Sequence, residues 1–125
     1  MLAIDFDVVF IDCEEGFPKS MLSMDVAQYL SEKKSLSHKL SNSSELLITA
    51  DTIVLVDNAV LNKPKNRNEA LDMLDKISGK THQVITGVTI RTKEKTTSFS
   101  TITEVAMDKI DYYDKNFYVD NYAIF

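Results

Sequence analysis

The pattern of apolar and polar positions divides the chain into segments of strand type and of helix type. The short run from Phe6 to Ile11 is β-branched and aromatic, which predicts a first strand. Further along, apolar residues recur at intervals of three and four, which predicts a helix with one buried stripe. The stripe consists of Val26, Tyr29 and Leu30. We expect Ser23 to cap this helix, and its last turn carries Lys33 and Lys34, where cations suit the helix dipole.

Two continuous apolar runs follow, and they predict a pair of strands that are covered on both faces. The runs are Leu46–Thr49 and Ile53–Val56, and the segment Ala50–Thr52 interrupts them with polar side chains. Asp57-Asn58 predicts a tight turn, because Asp and Asn tolerate positive φ angles. The short run Ala59–Leu61 comes after it.

A second helix is predicted by its ends as well as by its spacing. Asn66, with Glu69 three residues later, resembles a capping box at the start of this helix. Gly79 marks its end, because glycine adopts the left-handed conformation at the least cost. The predicted buried face consists of Ala70, Leu71, Leu74 and Ile77.

The remaining residues predict a hairpin and a last helix. Val, Ile and Thr predominate from His82 to Arg91 and from Thr97 to Val105, which is typical of an antiparallel hairpin. A helix is expected from Asp108 to Tyr122, with its aromatic side chains packed in the core. These are Tyr112, Tyr113, Phe117, Tyr118 and Tyr122. The order of the elements predicts an α/β fold, a mixed sheet with flanking helices.

Length and composition indicate a single domain, residues 1–125. The chain is 44% apolar and 26% charged, which are ordinary values for a globular domain. Its 14 basic and 19 acidic side chains give a net charge of −5, which argues against a polynucleotide partner. No apolar stretch reaches the roughly 18 residues of a membrane span, and the first residues lack a basic start. A cytoplasmic protein without a membrane partner is therefore the default expectation, and the single cysteine, Cys13, excludes an internal disulfide.

Asp51 is the most informative candidate for chemistry. A carboxylate between two buried runs costs several kcal/mol unless it is paired, hydrogen-bonded or bound to a metal ion. The alternative is that Asp51 ends a strand and caps a turn. The local pattern leaves both interpretations open.

Two charged groups are further candidates. Lys63, Lys65 and Arg67 precede a helix N-terminus, where backbone N–H groups favour an anion, although a solvated loop would have the same composition. Three carboxylates after the first predicted strand offer the oxygen ligands that magnesium or manganese prefers, or form a solvated acidic loop. They are Asp12, Glu14 and Glu15.

The hairpin contains two more residues of interest. Gly87, after Thr86, indicates either a bulge or the close approach of a ligand or another backbone. His82 is expected to be a structural hydrogen-bonding residue rather than a general base, and the loop residue His38 has a weaker claim.

Five segments together resemble signatures of the Maf family of nucleoside triphosphate pyrophosphatases, in the family's order and spacing. They are Ala50–Val54, Asn62–Pro64, Glu69–Leu74, Ser78–Val84 and Thr86–Val88. The resemblance implies a mixed α/β fold related to the inosine-triphosphate pyrophosphatases. It also implies a cleft that binds a nucleoside triphosphate with a divalent cation, Mg²⁺ or Mn²⁺. Water would attack between the α and β phosphates, giving a nucleoside monophosphate and pyrophosphate.

The same resemblance implies roles for individual residues. Asp51 matches the catalytic aspartate, which orients or deprotonates the water and helps to hold the metal, and Glu15 matches its metal partner. Lys34 and Lys63 match catalytic lysines that neutralise the charge on the phosphates. The expected substrate contacts are Thr52, Lys63, Lys34 and Thr86.

The Ala-Asp-Thr and Gly-Lys-Thr-His strings are similar to the branch that acts on thymidine and uridine triphosphates, so a pyrimidine substrate is expected. Family members begin with a strand and a Ser-x-Ser-Pro-Arg-Arg phosphate loop, and continue into an Ala-Gly-x-Tyr-x-Ile-Gln segment. This sequence starts beyond the first and stops before the second. We therefore expect an incomplete Maf-like domain with weak or no turnover.

Two other hypotheses are compatible with the sequence. One is a non-catalytic Maf-like remnant that acts as an oligomerisation or interaction module, for instance a homodimer that pairs an exposed sheet edge with another subunit. The other is that the sequence is a fragment of a longer protein.

Overall fold

The structure is a computed structural model, and it describes residues 4–13, 16–61 and 63–121. These residues form a sheet of four strands, β1 (Leu47–Val56), β2 (Ala59–Leu61), β3 (Thr81–Arg91) and β4 (Thr96–Ala106). The helices are α1 (Val26–Leu36), α2 (Arg67–Ile77) and α3 (Tyr112–Asn121), and a short 3-10 turn, Ser23–Asp25, leads into α1. Across the described residues, no helix combines the length and the apolar character that crossing a membrane requires.

The strands lie in the order β2-β1-β3-β4, and each pairs antiparallel with its neighbours. Asp57 and Asn58 have φ angles of 52° and 63°, which confirms the predicted turn. This turn reverses the chain into β2, and α2 then carries the chain to the other side of β1, where β3 runs antiparallel to it. The predicted α/β fold with flanking helices is confirmed, whereas the four described strands form an antiparallel sheet rather than the mixed sheet that was predicted.

β1 is one strand rather than two. The segment Ala50–Thr52, predicted to separate two strands, lies inside it. Pairing with β3 continues without a break from Leu47 to Leu55. The prediction of two strands is therefore wrong, because continuous backbone pairing outweighs a local interruption of the apolar side-chain pattern.

α2 has the ends that the sequence predicted. The Asn66 side chain accepts the N–H of Glu69 at 2.9 Å, and the Glu69 carboxylate accepts the N–H of Lys65 at 2.6 Å. Gly79, just after the helix, has a φ of 66°. The buried residues of the contact between α2 and α3 are Ala70, Leu74 and Val119.

α1 packs on one face of the sheet and forms the larger apolar cluster. Successive side chains of a strand point to opposite faces, so that alternate residues meet α1. The buried members of the cluster are Val26, Ala27, Leu30, Ile53, Leu55 and Ile85. The predicted stripe of α1 is confirmed, since Tyr29 packs against the same cluster. On the opposite face, Ile48 and Phe99 leave 60% and 44% of their surface exposed.

The opening run Phe6–Ile11 does not form the predicted strand. Its backbone is irregular, and Phe6 and Phe10 are 76% and 89% exposed. A strand requires a neighbour that accepts and donates its backbone hydrogen bonds, and none of the described strands pairs with this run.

Ser23 does not cap α1, because its hydroxyl donates instead to the carbonyl of Asn58 at 3.0 Å. The predicted burial of the α3 aromatics is also wrong. α3 packs chiefly against α2 and buries one narrow stripe around Val119, which leaves the tyrosines and Phe117 outside it. Tyr112, Tyr113, Phe117 and Tyr118 are exposed, and Tyr122 lies outside the described residues.

We expect Ile85→Ala to lower the free energy of unfolding by about 2–5 kcal/mol, because it opens a cavity beneath α1. Ile85 is fully buried, whereas Ile48 on the opposite face of the sheet is 60% exposed. The matched variant Ile48→Ala should change the stability by no more than about 0.5 kcal/mol. Denaturant unfolding measures both, and equal losses would contradict the assignment of the core to the α1 face.

A second prediction concerns the ion pair that joins α2 to α3. Arg67 Nε donates to Asp120 Oδ1 at 2.9 Å, and this hydrogen bond holds the pKa of Asp120 below its ordinary value. A carboxyl group whose pKa is depressed by folding stabilises the fold above its unfolded pKa, about 3.9, and loses that contribution as the pH falls through the folded pKa.

Asp120→Asn should therefore lower the melting temperature at pH 7, and the difference from the unmodified chain should disappear in acid below the ordinary aspartate range. Asp72→Asn, at an exposed residue of α2, is the control and should produce a smaller change. A difference that persists undiminished in acid would show that the charge of Asp120 is not the cause.

Candidate functional site

Asp51 lies in the middle of β1 on the face that α1 covers. Thr49, two residues earlier on the same face, donates its hydroxyl to the Ser31 carbonyl of α1 at 2.7 Å. Ile53, two residues later, belongs to the core under α1. The interpretation of Asp51 as a strand end that caps a turn is therefore wrong, since β1 continues to Val56.

Lys34 is the partner of Asp51. Its Nζ atom lies 3.5 Å from Asp51 Oδ1, and the side chains are 26% and 17% exposed. The same carboxylate oxygen accepts the N–H of Thr52 at 3.1 Å. The expected pairing of this carboxylate is thus confirmed, and both side chains are only partly exposed to water.

Thr52 and Thr86 lie together, but on the opposite face of the sheet. Their hydroxyl oxygens are 3.0 Å apart, and the two residues are directly paired across β1 and β3. Because side chains alternate along a strand, the sheet separates this threonine pair from Asp51 and Lys34. The candidate residues therefore form two pairs on two faces rather than one cluster.

Lys63 is exposed and lies two residues after the end of β2. β2 runs antiparallel to β1, with Leu61 opposite Val54, so the chain leaves β2 in the direction of Asp51. Within the described part of the chain, no hydrogen bond or ion pair joins Lys63 to the other candidates.

Glu15 and Glu14 lie outside the described residues, and Asp12 is exposed. Gly16, which follows Glu15 in the sequence, accepts a hydrogen bond from Lys33 Nζ at 3.1 Å. This contact ties the chain beyond Glu15 to the turn of α1 that carries Lys34.

Arg67, a candidate anion ligand in the sequence, has a structural partner instead. Its guanidinium group donates to Asp120 and to the side-chain oxygen of Asn116 at 2.6 Å. The hydrogen bond with Asp120 raises the pKa of Arg67 above its ordinary value. Arg67 therefore joins α2 to α3.

A polar seam holds α1 against the sheet beside Asp51. The buried hydroxyls of Ser31 and Thr89 are 2.7 Å apart, and Thr89 is also 3.0 Å from the hydroxyl of Ser98. Serine and threonine on amphipathic elements gave no signal of this network in the sequence, since the pairs are 58 and 9 residues apart.

Arg91 anchors the end of α1 and was not predicted as important. It donates to the Ser35 hydroxyl at 2.9 Å, to the Ser35 carbonyl at 2.6 Å and to the carbonyl of His38. A cation at the carboxyl end of a helix satisfies carbonyls that have no partner within the helix. Arg91 therefore fixes the turn of α1 next to Lys34.

One cavity opens beside α1 and another beside the turn between β1 and β2, and neither is lined by Lys34 or Asp51. One, of about 360 Å³, is lined by residues that include Glu32, Arg91 and Ser98. The other, of about 190 Å³, is lined by residues that include Asn58 and His82. His82 is buried, and among the described residues its Nδ1 atom has no hydrogen-bond partner, so the structure does not show the hydrogen bond expected of a structural histidine.

The Asp51 carboxylate fits a magnesium ion that takes most of its ligands from phosphate and water. Within the described ranges, no three His, Cys, Asp or Glu side chains lie close enough together to hold a metal ion. Asp51 nevertheless presents a carboxylate that is partly open to solvent. Mg²⁺ at nucleotide sites takes one or two carboxylates and completes its shell with phosphate oxygens and water, so a single carboxylate is a sufficient protein contribution of this kind.

The family model described as Maf-like protein matches residues 1–125. A dTTP/UTP pyrophosphatase of Parabacteroides distasonis is 44% identical over 123 residues, 97% of this chain and 64% of that protein. Proteins of the same name from Flavobacterium psychrophilum and Bacteroides thetaiotaomicron are 40% and 38% identical, over 99% and 97% of this chain. The chain spans 64% of the length of each of these relatives. The family match along the chain and the similarity of these relatives confirm the resemblance of the five segments, and the chain belongs to the Maf family.

Proposed function

We propose that this chain forms the central part of a nucleoside triphosphate pyrophosphatase that converts dTTP- or UTP-type nucleotides to the monophosphate and pyrophosphate. The observation that carries the proposal is the pair of Asp51 and Lys34, a carboxylate and an ammonium group 3.5 Å apart on two elements of the fold. The name of the relatives, dTTP/UTP pyrophosphatase, supports the reaction and the pyrimidine substrate. It also favours an enzyme over the non-catalytic interaction module.

The edge of β1 offers a place where one ligand could reach both faces of the sheet. β2 pairs only with Val54–Val56, and no described strand pairs with the earlier part of β1 on that side. At this open edge Asp51 points to one face and Thr52 to the other. Lys63 follows β2 toward the same edge. A triphosphate lying along the edge would meet all three residues, and this is the arrangement that we propose.

The proposed roles follow from the chemistry of the side chains. Asp51 accepts a proton from the attacking water or orients it, since a carboxylate is the base that this part of the sheet provides. Lys34, and Lys63 from the other side, neutralise the charge that develops on the phosphate oxygens. A divalent cation held by Asp51 and Glu15 would supply further neutralisation of phosphate charge. Thr52 and Thr86 are proposed to hydrogen-bond the nucleotide from the opposite face.

Lys34 has a second effect on Asp51. As long as no nucleotide is present, its ammonium group balances the charge of the half-buried carboxylate. An incoming phosphate would compete for the same ammonium group. Binding of a triphosphate is therefore proposed to release Asp51 from Lys34 at the moment when the carboxylate is needed as a base or as a metal ligand.

The direct test is release of pyrophosphate from dTTP and UTP with Mg²⁺ or Mn²⁺. Asp51→Asn should lower the rate by about 10²- to 10⁴-fold, the usual contribution of a general base. Asp72→Asn, an exposed aspartate of α2, is the matched control and should leave the rate unchanged. Where the unmodified chain releases pyrophosphate at a measurable rate, an equal rate for the Asp51 variant would remove Asp51 from the reaction.

Binding is measured separately from turnover. At a nucleotide concentration 100 times the dissociation constant, the native state should gain about 2.7 kcal/mol of stability, which appears as a higher melting temperature. Lys34→Met should reduce this gain, and a polynucleotide should produce none. No change of melting temperature with nucleotide and metal would contradict the proposed function and favour the interaction module.

A further inference from the structure

Gly87 lies where α1 comes closest to the sheet. It is buried in the middle of β3, and its direct partner across the strands is Asp51. A Cβ atom built on Gly87 would lie 2.4 Å from the carbonyl carbon and oxygen of Ala27 and 2.4 Å from the nitrogen of Gln28. These are backbone atoms of α1, and they cannot move aside by a side-chain rotation. The absence of a side chain at this position is therefore what allows the helix to touch the sheet.

The continuous pairing of Gly87 with both neighbours decides between the two interpretations of this glycine. Gly87 keeps its register with Asp51 of β1 and with Ser100 of β4, so the strand contains no bulge. The remaining interpretation is the close approach of another backbone, and the structure shows that this is the backbone of α1.

The same contact determines how far Lys34 must reach. Lys34 is seven residues, about two turns, beyond Ala27, and helical side chains lean toward the N-terminal end of the helix. Its ammonium group extends back to Asp51, which lies beside Gly87. Between these points α1 is tied to β3 by the hydrogen bond between the hydroxyls of Ser31 and Thr89, whose oxygen atoms are 2.7 Å apart. Raising α1 at Gly87 would therefore tilt the helix about its contacts with Thr89 and Arg91, and would change the distance that the Lys34 side chain must bridge to Asp51.

We propose that Gly87 is a positioning residue of the candidate site: by admitting the backbone of α1 against β3, it sets the separation of Lys34 and Asp51. The catalytic consequence of this inference rests on the proposed function, whereas the structural consequence does not. Gly87 would touch neither nucleotide nor metal and would act through the ion pair.

The expected displacement is large compared with the tolerance of the pair. An added methyl group must gain about 1 Å to return to an ordinary contact of 3.4 Å. The Lys34–Asp51 separation is 3.5 Å, so a shift of this size would bring it to about 4.5 Å, beyond ion-pair contact, and would weaken the Coulomb attraction by about a fifth.

The test is a double-mutant cycle on the ion pair, run by denaturant unfolding. Lys34→Met, Asp51→Asn and the combined variant give the coupling of the two side chains, expressed as a ratio of unfolding equilibrium constants, after the individual effects are subtracted. The cycle is repeated in the presence of Gly87→Ala. We expect the coupling ratio to fall with Gly87→Ala, and to stay unchanged with Gly16→Ala, whose added Cβ meets nothing within 4 Å.

Thr89→Val distinguishes a specific effect at Gly87 from a general loosening of the contact between α1 and the sheet. It removes the hydrogen bond to Ser31 and adds no contact at Gly87. The Lys34–Asp51 coupling should persist in this variant. If Gly87→Ala does not fold, Ala27→Ser introduces a smaller wedge at the same crossing, because Ala27 is fully buried, and it should reduce the coupling partially. If the Lys34–Asp51 coupling is unchanged by Gly87→Ala, or by Ala27→Ser where Gly87→Ala does not fold, the proposal is overturned.

Kinetics gives a second readout. Gly87→Ala should lower kcat for dTTP more than it changes KM, and in a chain that already carries Lys34→Met it should cause no further loss of kcat. Additive losses would mean that Gly87 acts independently of Lys34 and would contradict the positioning role. If the unmodified chain neither releases pyrophosphate nor gains stability from dTTP with Mg²⁺, the proposed function fails, and the unfolding cycle still decides the role of Gly87.

Discussion

The direct contact of α1 with the sheet at Gly87 is the constraint on which the arrangement of the candidate site depends. A helix normally rests on a sheet through side chains on both surfaces, at a distance that those side chains determine. Here the backbone of α1 itself meets β3, because β3 has no side chain at the crossing. The C-terminal half of the interface is then completed by polar groups, with Ser31 on Thr89 and Arg91 on the end of the helix. Such directional contacts define one position of the helix more narrowly than apolar packing alone.

The sequence predicted those elements whose ends and spacing are determined locally. The capping residues of α2, the glycine after it and the Asp57-Asn58 turn all depend on neighbouring residues, and all were found. The strand expected at Phe6–Ile11 depends on a partner elsewhere in the chain, so a suitable composition was not enough. The break expected at Ala50–Thr52 failed for a related reason, since the partner strand β3 supplies unbroken pairing that no local pattern reveals.

The candidate site was predictable only in the part that local sequence determines. Asp51 stood out because a carboxylate in an apolar run requires a partner, and a lysine was found beside it. The identity of that lysine came from a family resemblance, because Lys34 and Asp51 are 17 positions apart in the sequence and their approach depends on the tertiary fold. Nothing in the local sequence distinguished the face of Asp51 from the face of Thr52 and Thr86 in functional terms. Arg91 also gave no signal, because its partners are carbonyls at the end of α1 and just after it, more than 50 residues earlier.

The position of β3 in the strand order has a consequence for how the molecule opens. β3 is paired from Gln83 to Arg91 with β1 on one side and β4 on the other, and α1 lies directly on it, so its amide hydrogens reach solvent only when these neighbours separate from it. The outward amides of β4, and those of β1 before Val54, face no described strand and can exchange without such an event. Amide exchange should consequently be slowest around Ile85 and fastest at the two margins. β1, the strand that carries Asp51, lies between the slowly and the rapidly exchanging amides. The candidate site is therefore placed between a well-protected interior and an edge that opens locally.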